Sequence, residues 1–173
     1  MSRELLLLRH GKSDRYVEAA DIDRPLKKRG RRGAKRIGLW LWEEGLIPDL
    51  VLCSPAERAK ATAYLVCENL SIKKENIQLD RHLYGKGVDS LQTVLADLPQ
   101  DARRVLLIGH NPELEALLVE LVGLINLPRA EKLMPTATLA RLEMPDDWTH
   151  LEAGCAKLLS ITIAKTLLNE DEG

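Results

Sequence analysis

The 173-residue sequence predicts a single α/β domain, a three-layer α/β/α sandwich around a mostly parallel sheet. Two observations predict it. The apolar runs Leu5-Leu6-Leu7-Leu8, Leu50-Val51-Leu52-Cys53 and Val105-Leu106-Leu107-Ile108 are short and unbroken, as in strands covered on both faces. Helical segments alternate with them, and that alternation implies parallel pairing with helices packed on the sheet.

The elements follow in order. The first strand spans 5–9. A charged loop covers 12–28 and is closed by Arg24-Pro25-Leu26. Gly30 precedes or begins a helix to about Glu44, with Ile37 and Leu41 spaced to face inward. Gly45 and Pro48 stop it. After the second strand, Leu50 to Cys53, Ser54-Pro55-Ala56-Glu57 reads as a capping box, with Ser as N-cap, Pro at N1 and Glu closing it. That helix runs to about Asn69. Ile77-Gln78-Leu79 is a short strand and 89–97 a short helix. Val105 to Ile108 is a strand. Asn111 is the expected N-cap, and Pro112 the N1 residue, of a helix to about Val122. Two more strands are expected near 137–143 and 157–163. The tail from Asn169 to Gly173 should fray.

Composition narrows the function. One domain over 1–173 is large enough to bury about two-thirds of its unfolded surface. With 25 basic and 26 acidic residues, no global field argues for nucleic acid or membrane. The apolar stretches fall far short of the ~20 residues of a membrane span. Met1-Ser2-Arg3-Glu4 runs straight into a strand, which leaves no room for a signal peptide. Cys53, Cys67 and Cys155 are scattered and odd in number, as for reduced thiols. The expectation is a cytoplasmic protein, a monomer or weak dimer, with no nucleic-acid or membrane partner.

Three strands end on chemistry: Arg9-His10-Gly11, Ser54 with Arg58 four residues on, and Gly109-His110-Asn111. In an open parallel sheet such ends share one edge, where ligands bind. Helical side chains lean toward the N-terminus, so Arg58 can reach back over the strand ends. Helix starts add unpaired N–H groups suited to an anion. Gly11 and Gly109 remove Cβ atoms where backbone would approach a ligand. Two guanidiniums can bind phosphate bidentately and stabilise the equatorial oxygens of a phosphoryl transition state. His10 would be the nucleophile, its pKa pushed down by the arginines. His110 would hydrogen-bond a phosphate oxygen. Bland readings stand beside these. A histidine at a strand end is more often a satisfied polar residue, and His82 and His150 are read so. Lys27-Lys28-Arg29 with Arg31-Arg32 is a solvated helix start that could also attract an acidic partner.

Gly11-Lys12-Ser13 resembles the end of a P-loop, but that motif needs glycine where Leu6 stands, which rejects an NTPase. A metal site is not expected, because arginines would repel a cation and the carboxylate ligands are missing. No cofactor is expected.

Leu7-Leu8-Arg9-His10-Gly11-Lys12-Ser13 resembles the opening of the histidine phosphatase superfamily. Asp23-Arg24-Pro25-Leu26 with Arg29-Gly30 is similar to the family's segment before its first helix. The stretch from Pro48 to Ala59, with Thr62, resembles its second phosphate-binding arginine motif. Gly109-His110-Asn111-Pro112-Glu113-Leu114-Glu115 resembles its second histidine motif, and Pro135-Thr136 and the Trp148 region look like the short SixA branch, the phosphohistidine phosphatases. The resemblance implies a phosphoglycerate mutase-like fold, with His10 as nucleophile and Arg9, Arg58 and His110 completing the phosphate pocket. It implies as substrate a phosphorylated histidine on a signalling or phosphotransfer protein, such as a histidine-phosphotransfer domain. A small phosphorylated metabolite is the alternative, and a non-catalytic phosphate-binding module a third reading. Larger relatives use a carboxylate as proton donor. No clear copy of it follows Leu83-Tyr84, which leaves Asp89 and Glu113 as candidate donors.

Overall fold

The computed structural model describes residues 3–172. Met1, Ser2 and Gly173, which the expectations about the two termini include, lie outside the described residues. In chain order the elements are β1 (Arg3–Arg9), α1 (Lys28–Glu43), β2 (Leu50–Cys53), α2 (Glu57–Glu68), β3 (Ile77–Leu79), α3 (Val88–Ala96), β4 (Arg104–Gly109), α4 (Glu113–Val122), β5 (Thr138–Met144), β6 (Lys157–Ile163) and α5 (Ala164–Glu172). The strands form one sheet in the order β3-β2-β4-β1-β5-β6. The first four strands of that order pair in parallel, and β5 runs against both its neighbours. The mostly parallel α/β/α sandwich is therefore present.

Alternation along the strands builds the two helix layers, because successive side chains point to opposite faces. Leu5 and Leu7 of β1, with Val105 and Leu107 of β4, pack against α3 and α4. Leu6, Leu8, Leu106 and Ile108 pack on the other face against α1, α2 and α5. Leu5 to Leu8 are all fully buried, and each contributes roughly 1.5–3 kcal/mol by leaving water. No described helix is long and apolar enough to cross a membrane. The three cysteines are free, and burial pushes the Cys53 thiol up.

Element starts differ from expectation where polar residues found distant partners. β1 begins at Arg3, two residues early. There the Arg3 guanidinium donates to the Ala102 and Asp146 carbonyls, and Glu4 accepts from Arg104 and Arg141 on the flanking strands. α2 begins at Glu57, and Ser54 is not its N-cap. Instead, the Ser54 hydroxyl accepts the Ala56 N–H at 3.2 Å and bonds His110. α4 begins at Glu113, and Asn111 caps nothing. Its amide donates to Glu115 and to the Met134 carbonyl. The tail does not fray through Glu172. It forms α5, pinned to α1 by Arg32–Glu172 at 3.0 Å and Arg36–Asp171 at 2.7 Å.

Candidate active site

Strand register brings the predicted residues together. Arg9 pairs with Gly109 across β1 and β4, and Cys53 pairs with Ile108 across β2 and β4. The next residues, His10, Ser54 and His110, therefore leave the sheet at one edge. The two imidazole centroids lie 5.0 Å apart. Arg9, His10, Arg58 and His110 line a single cavity of about 290 Å³, and Asn111 and Thr136 line it too.

His10 Nδ1 lies 2.7 Å from the Gly11 carbonyl oxygen. A carbonyl only accepts, so Nδ1 carries the proton and Nε2 keeps its lone pair. Burial pushes the His10 pKa down to about 3, and the charges of Arg58 and Arg9 add to that. His110 is pushed down to about 4, by burial and then by Arg58. Both rings are therefore neutral near pH 7, and His10 keeps a bare Nε2 without a separate base.

Ser54 settles the tautomer of His110. Its fully buried hydroxyl accepts the Ala56 N–H and lies 2.7 Å from His110 Nε2. Among the described residues, Nε2 is the one acceptor in reach of the hydroxyl proton. Serine therefore donates to Nε2, and the neutral ring carries its proton on Nδ1. Tyr84 packs edge-on against the same ring at 5.5 Å.

Three buried donors have no acceptor among the described residues: Arg9 Nε, Arg58 Nε and His110 Nδ1. An unpaired buried donor costs about 1–3 kcal/mol, more when charged. All three belong to residues lining the cavity, as does a fourth unpaired buried atom, the acceptor Asn111 Oδ1.

The outer halves of the arginines are already committed. Arg58 donates to the Asp21 carbonyl at 2.7 Å and to its carboxylate at 3.1 Å. Asp21 also accepts from the Tyr84 hydroxyl at 2.5 Å and from Arg24 at 3.0 Å. The Tyr84 hydrogen bond, followed by those of Arg58 and Arg24, holds Asp21 far below the usual carboxylate range. It is a fixed anion and no proton donor near neutrality. Arg9 donates to the Met134 carbonyl, whose own N–H is held by Glu115 at 2.8 Å. Thr62 accepts the Gly11 N–H at 3.0 Å and donates to the Arg58 carbonyl, tying the loop after β1 to α2.

Sequence reasoning missed Asp21 and Glu115. The loop over 12–28 holds four acids, Asp14, Glu18, Asp21 and Asp23, and nothing local marks Asp21. Three expectations need correction. Gly11 does not line the cavity, and its lack of a Cβ serves packing. A Cβ there would meet the Gly30 carbonyl oxygen at 2.6 Å. Gly109 is not crowded either, since its Cβ would meet leucine side chains at 3.6 Å, an ordinary contact. Asp89 and Glu113 both stay outside the cavity, Asp89 exposed on α3 and Glu113 half-buried in the first turn of α4. Among the described residues no Asp or Glu lines the cavity.

The family model described as histidine phosphatase superfamily (branch 1) matches residues 5–84. A candidate phosphohistidine phosphatase SixA from Nakamurella multipartitia is 31% identical, with a TM-score of 0.78, over 94% of this chain and 96% of that one. The chain belongs to the histidine phosphatase superfamily. This histidine phosphatase chain is also 30% identical to an uncharacterized Mycobacterium tuberculosis protein, over 91% of its own length and 100% of the relative. A mycobacterial glucosyl-3-phosphoglycerate phosphatase shares 19% identity over 92% of the histidine phosphatase chain and 98% of its own, with a TM-score of 0.64, a likeness of fold alone.

Proposed function

We propose that this histidine phosphatase hydrolyses phosphohistidine on signalling or phosphotransfer proteins through a covalent phosphohistidine at His10. The observation that carries this reading is the cavity itself. It joins a neutral nucleophile to three unpaired buried donors, and no carboxylic acid lines it. A phosphate ester expels an alkoxide and gains much from a positioned acid. A phosphoramidate protonated on its nitrogen expels a neutral imidazole and needs little such help. The SixA name of the 31% identical Nakamurella multipartitia chain points the same way.

The geometry supports two in-line displacements. His10 Nε2 attacks phosphorus while the phosphorus–nitrogen bond of the substrate breaks, and the leaving imidazole keeps its proton. Arg9, Arg58 and His110 Nδ1–H stabilise the equatorial oxygens, and the Gly11 carbonyl holds the imidazolium proton of His10. Water then attacks phosphorus, the bond to Nε2 breaks, and inorganic phosphate leaves. A small-molecule phosphomonoesterase is the second reading, and one observation favours it. A cavity of about 290 Å³ approaches the range of small-ligand sites.

The test compares a phosphorylated histidine-phosphotransfer domain with a panel of sugar phosphates and nucleotides. The phosphohistidine reading expects kcat/KM about tenfold or more higher on the phosphoprotein. Faster turnover of any ester would overturn it in favour of the metabolite reading. His10→Ala should lose turnover of every substrate, whereas a module that only binds phosphate would keep its function.

A further inference from the structure

Positive charge continues beyond the phosphate cavity. Lys12, Pro135 and Thr136 line both that cavity and a neighbouring groove of about 470 Å³. The groove lies against α1 and α5 and adds Arg29, Arg32 and Lys165. Lys12 shows how densely the cations gather. After desolvation, Arg15, Arg29, Lys27 and Lys132 all push its pKa down. Against this, Glu172 is the one acid among the described residues lining the cavity or the groove. Arg32 is paired with Glu172. Lys12, Arg29, Lys132 and Lys165 have no carboxylate partner among the described residues.

An aromatic side chain stands beside this collar. Tyr16 is 90% exposed, next to Arg15 of the cavity wall. Asp14 holds its backbone N–H at 2.9 Å, and the Lys27 ammonium sits 5.9 Å from its ring centroid. Exposed tyrosine with arginine is the composition that dominates protein–protein hot spots. A nucleic-acid groove would instead track a backbone with several stacked aromatics, and among the described residues lining the groove there is no Tyr, Trp or Phe.

We propose that the groove and the Tyr16 loop form a docking surface for an acidic face of a phosphorylated protein, with Tyr16 as the apolar anchor. This names the partner for the phosphohistidine reading and rests on that reading. Acidic residues flanking the target histidine would meet Arg29 and Lys165 as the phosphate enters the cavity. Opposite charge would then select substrates chiefly through association rate, with strong dependence on salt.

The test uses two fluorescein-labelled peptides around an unphosphorylated histidine, one flanked by Glu and Asp and the other by Gln and Asn. Anisotropy with the full chain should show about tenfold tighter binding of the acidic peptide at low salt, lost at high salt. Arg29→Glu with Lys165→Glu should abolish that preference, and Tyr16→Ala should weaken both peptides several-fold. An unchanged melting temperature certifies the fold of each variant. Equal binding of both peptides would overturn the proposal. So would an acid preference that survives the charge reversals, or tighter binding of a single-stranded oligonucleotide. This readout needs no turnover. Acid-selective binding without phosphohistidine hydrolysis counts against the catalytic reading alone, and hydrolysis without acid selectivity counts against the docking surface alone.

Discussion

His10 donates from Nδ1 to the Gly11 carbonyl at 2.7 Å, and that bond decides which ring nitrogen reacts. Its pKa, pushed down to about 3, keeps the reactive nitrogen bare across the physiological range. Nitrogen-15 NMR of the free enzyme should therefore show neither His10 nor His110 titrating between about pH 8 and 5, whereas an ordinary histidine turns near 6.5. A midpoint near 6.5 for His10 would contradict the burial argument. Ser54 makes the second prediction at this scale. Because its hydroxyl proton goes to His110 Nε2, wild-type His110 should appear solely as the Nδ1–H tautomer. Ser54→Ala should show a tautomer mixture and lower kcat/KM by about 10- to 100-fold, the scale of one misdirected oxyanion donor. An Nε2–H tautomer in the wild type would sink that role.

Among the elements, the crossing of the loop after β1 over the start of α1 positions the nucleophile. A Cβ on Gly30 would lie 2.2 Å from the Lys12 carbonyl oxygen. Backbone cannot yield as a side chain can, so Gly30→Ala should cost about 3 kcal/mol and lower activity by displacing His10. Thermal melting checks the first effect and kcat the second. An unchanged melting temperature would show that the crossing is softer than this contact implies. The strands were legible in the sequence because burial on both faces leaves unbroken apolar runs at Leu5 to Leu8 and Val105 to Ile108. The helix starts were not. Ser54 and Asn111 look like caps locally, but their polar groups serve His110 and Met134, partners more than twenty residues away in sequence. The reversal of β5 was equally hidden, since strand–helix alternation carries no sign of direction.

Over the whole molecule, the same buried neutral histidines should make folding sensitive to acid. His10 and His110 have folded pKa values of about 3 and about 4, against about 6.5 in an unfolded chain. Between those values the unfolded state binds more protons, so stability rises with pH. The contribution is complete above about pH 6.5 and is lost as pH falls toward the folded values, on the order of a few kcal/mol. Asp21 is held far below the usual carboxylate range, so its own loss comes only at lower pH. The window from about 6.5 to 5 therefore belongs to the histidines. Melting temperature should fall across it in the wild type and fall less in His10→Asn. Equal slopes would remove His10 from the linkage. Arg9, His10, Arg58 and His110 could be read from the sequence because parallel topology sends strand ends to one edge. The brace around them could not, because Asp21 and Glu115 act through contacts that only folding makes. The central claim, that His10 Nε2 carries the phosphoryl group, is tested most directly by trapping the phosphoenzyme. Acid-free quenching during turnover of a phosphorylated histidine-phosphotransfer domain, followed by phosphorus-31 NMR and peptide mapping, should place an acid-labile phosphate on Nε2 of His10. Phosphate on Nδ1, on His110 or on no residue during turnover would contradict it.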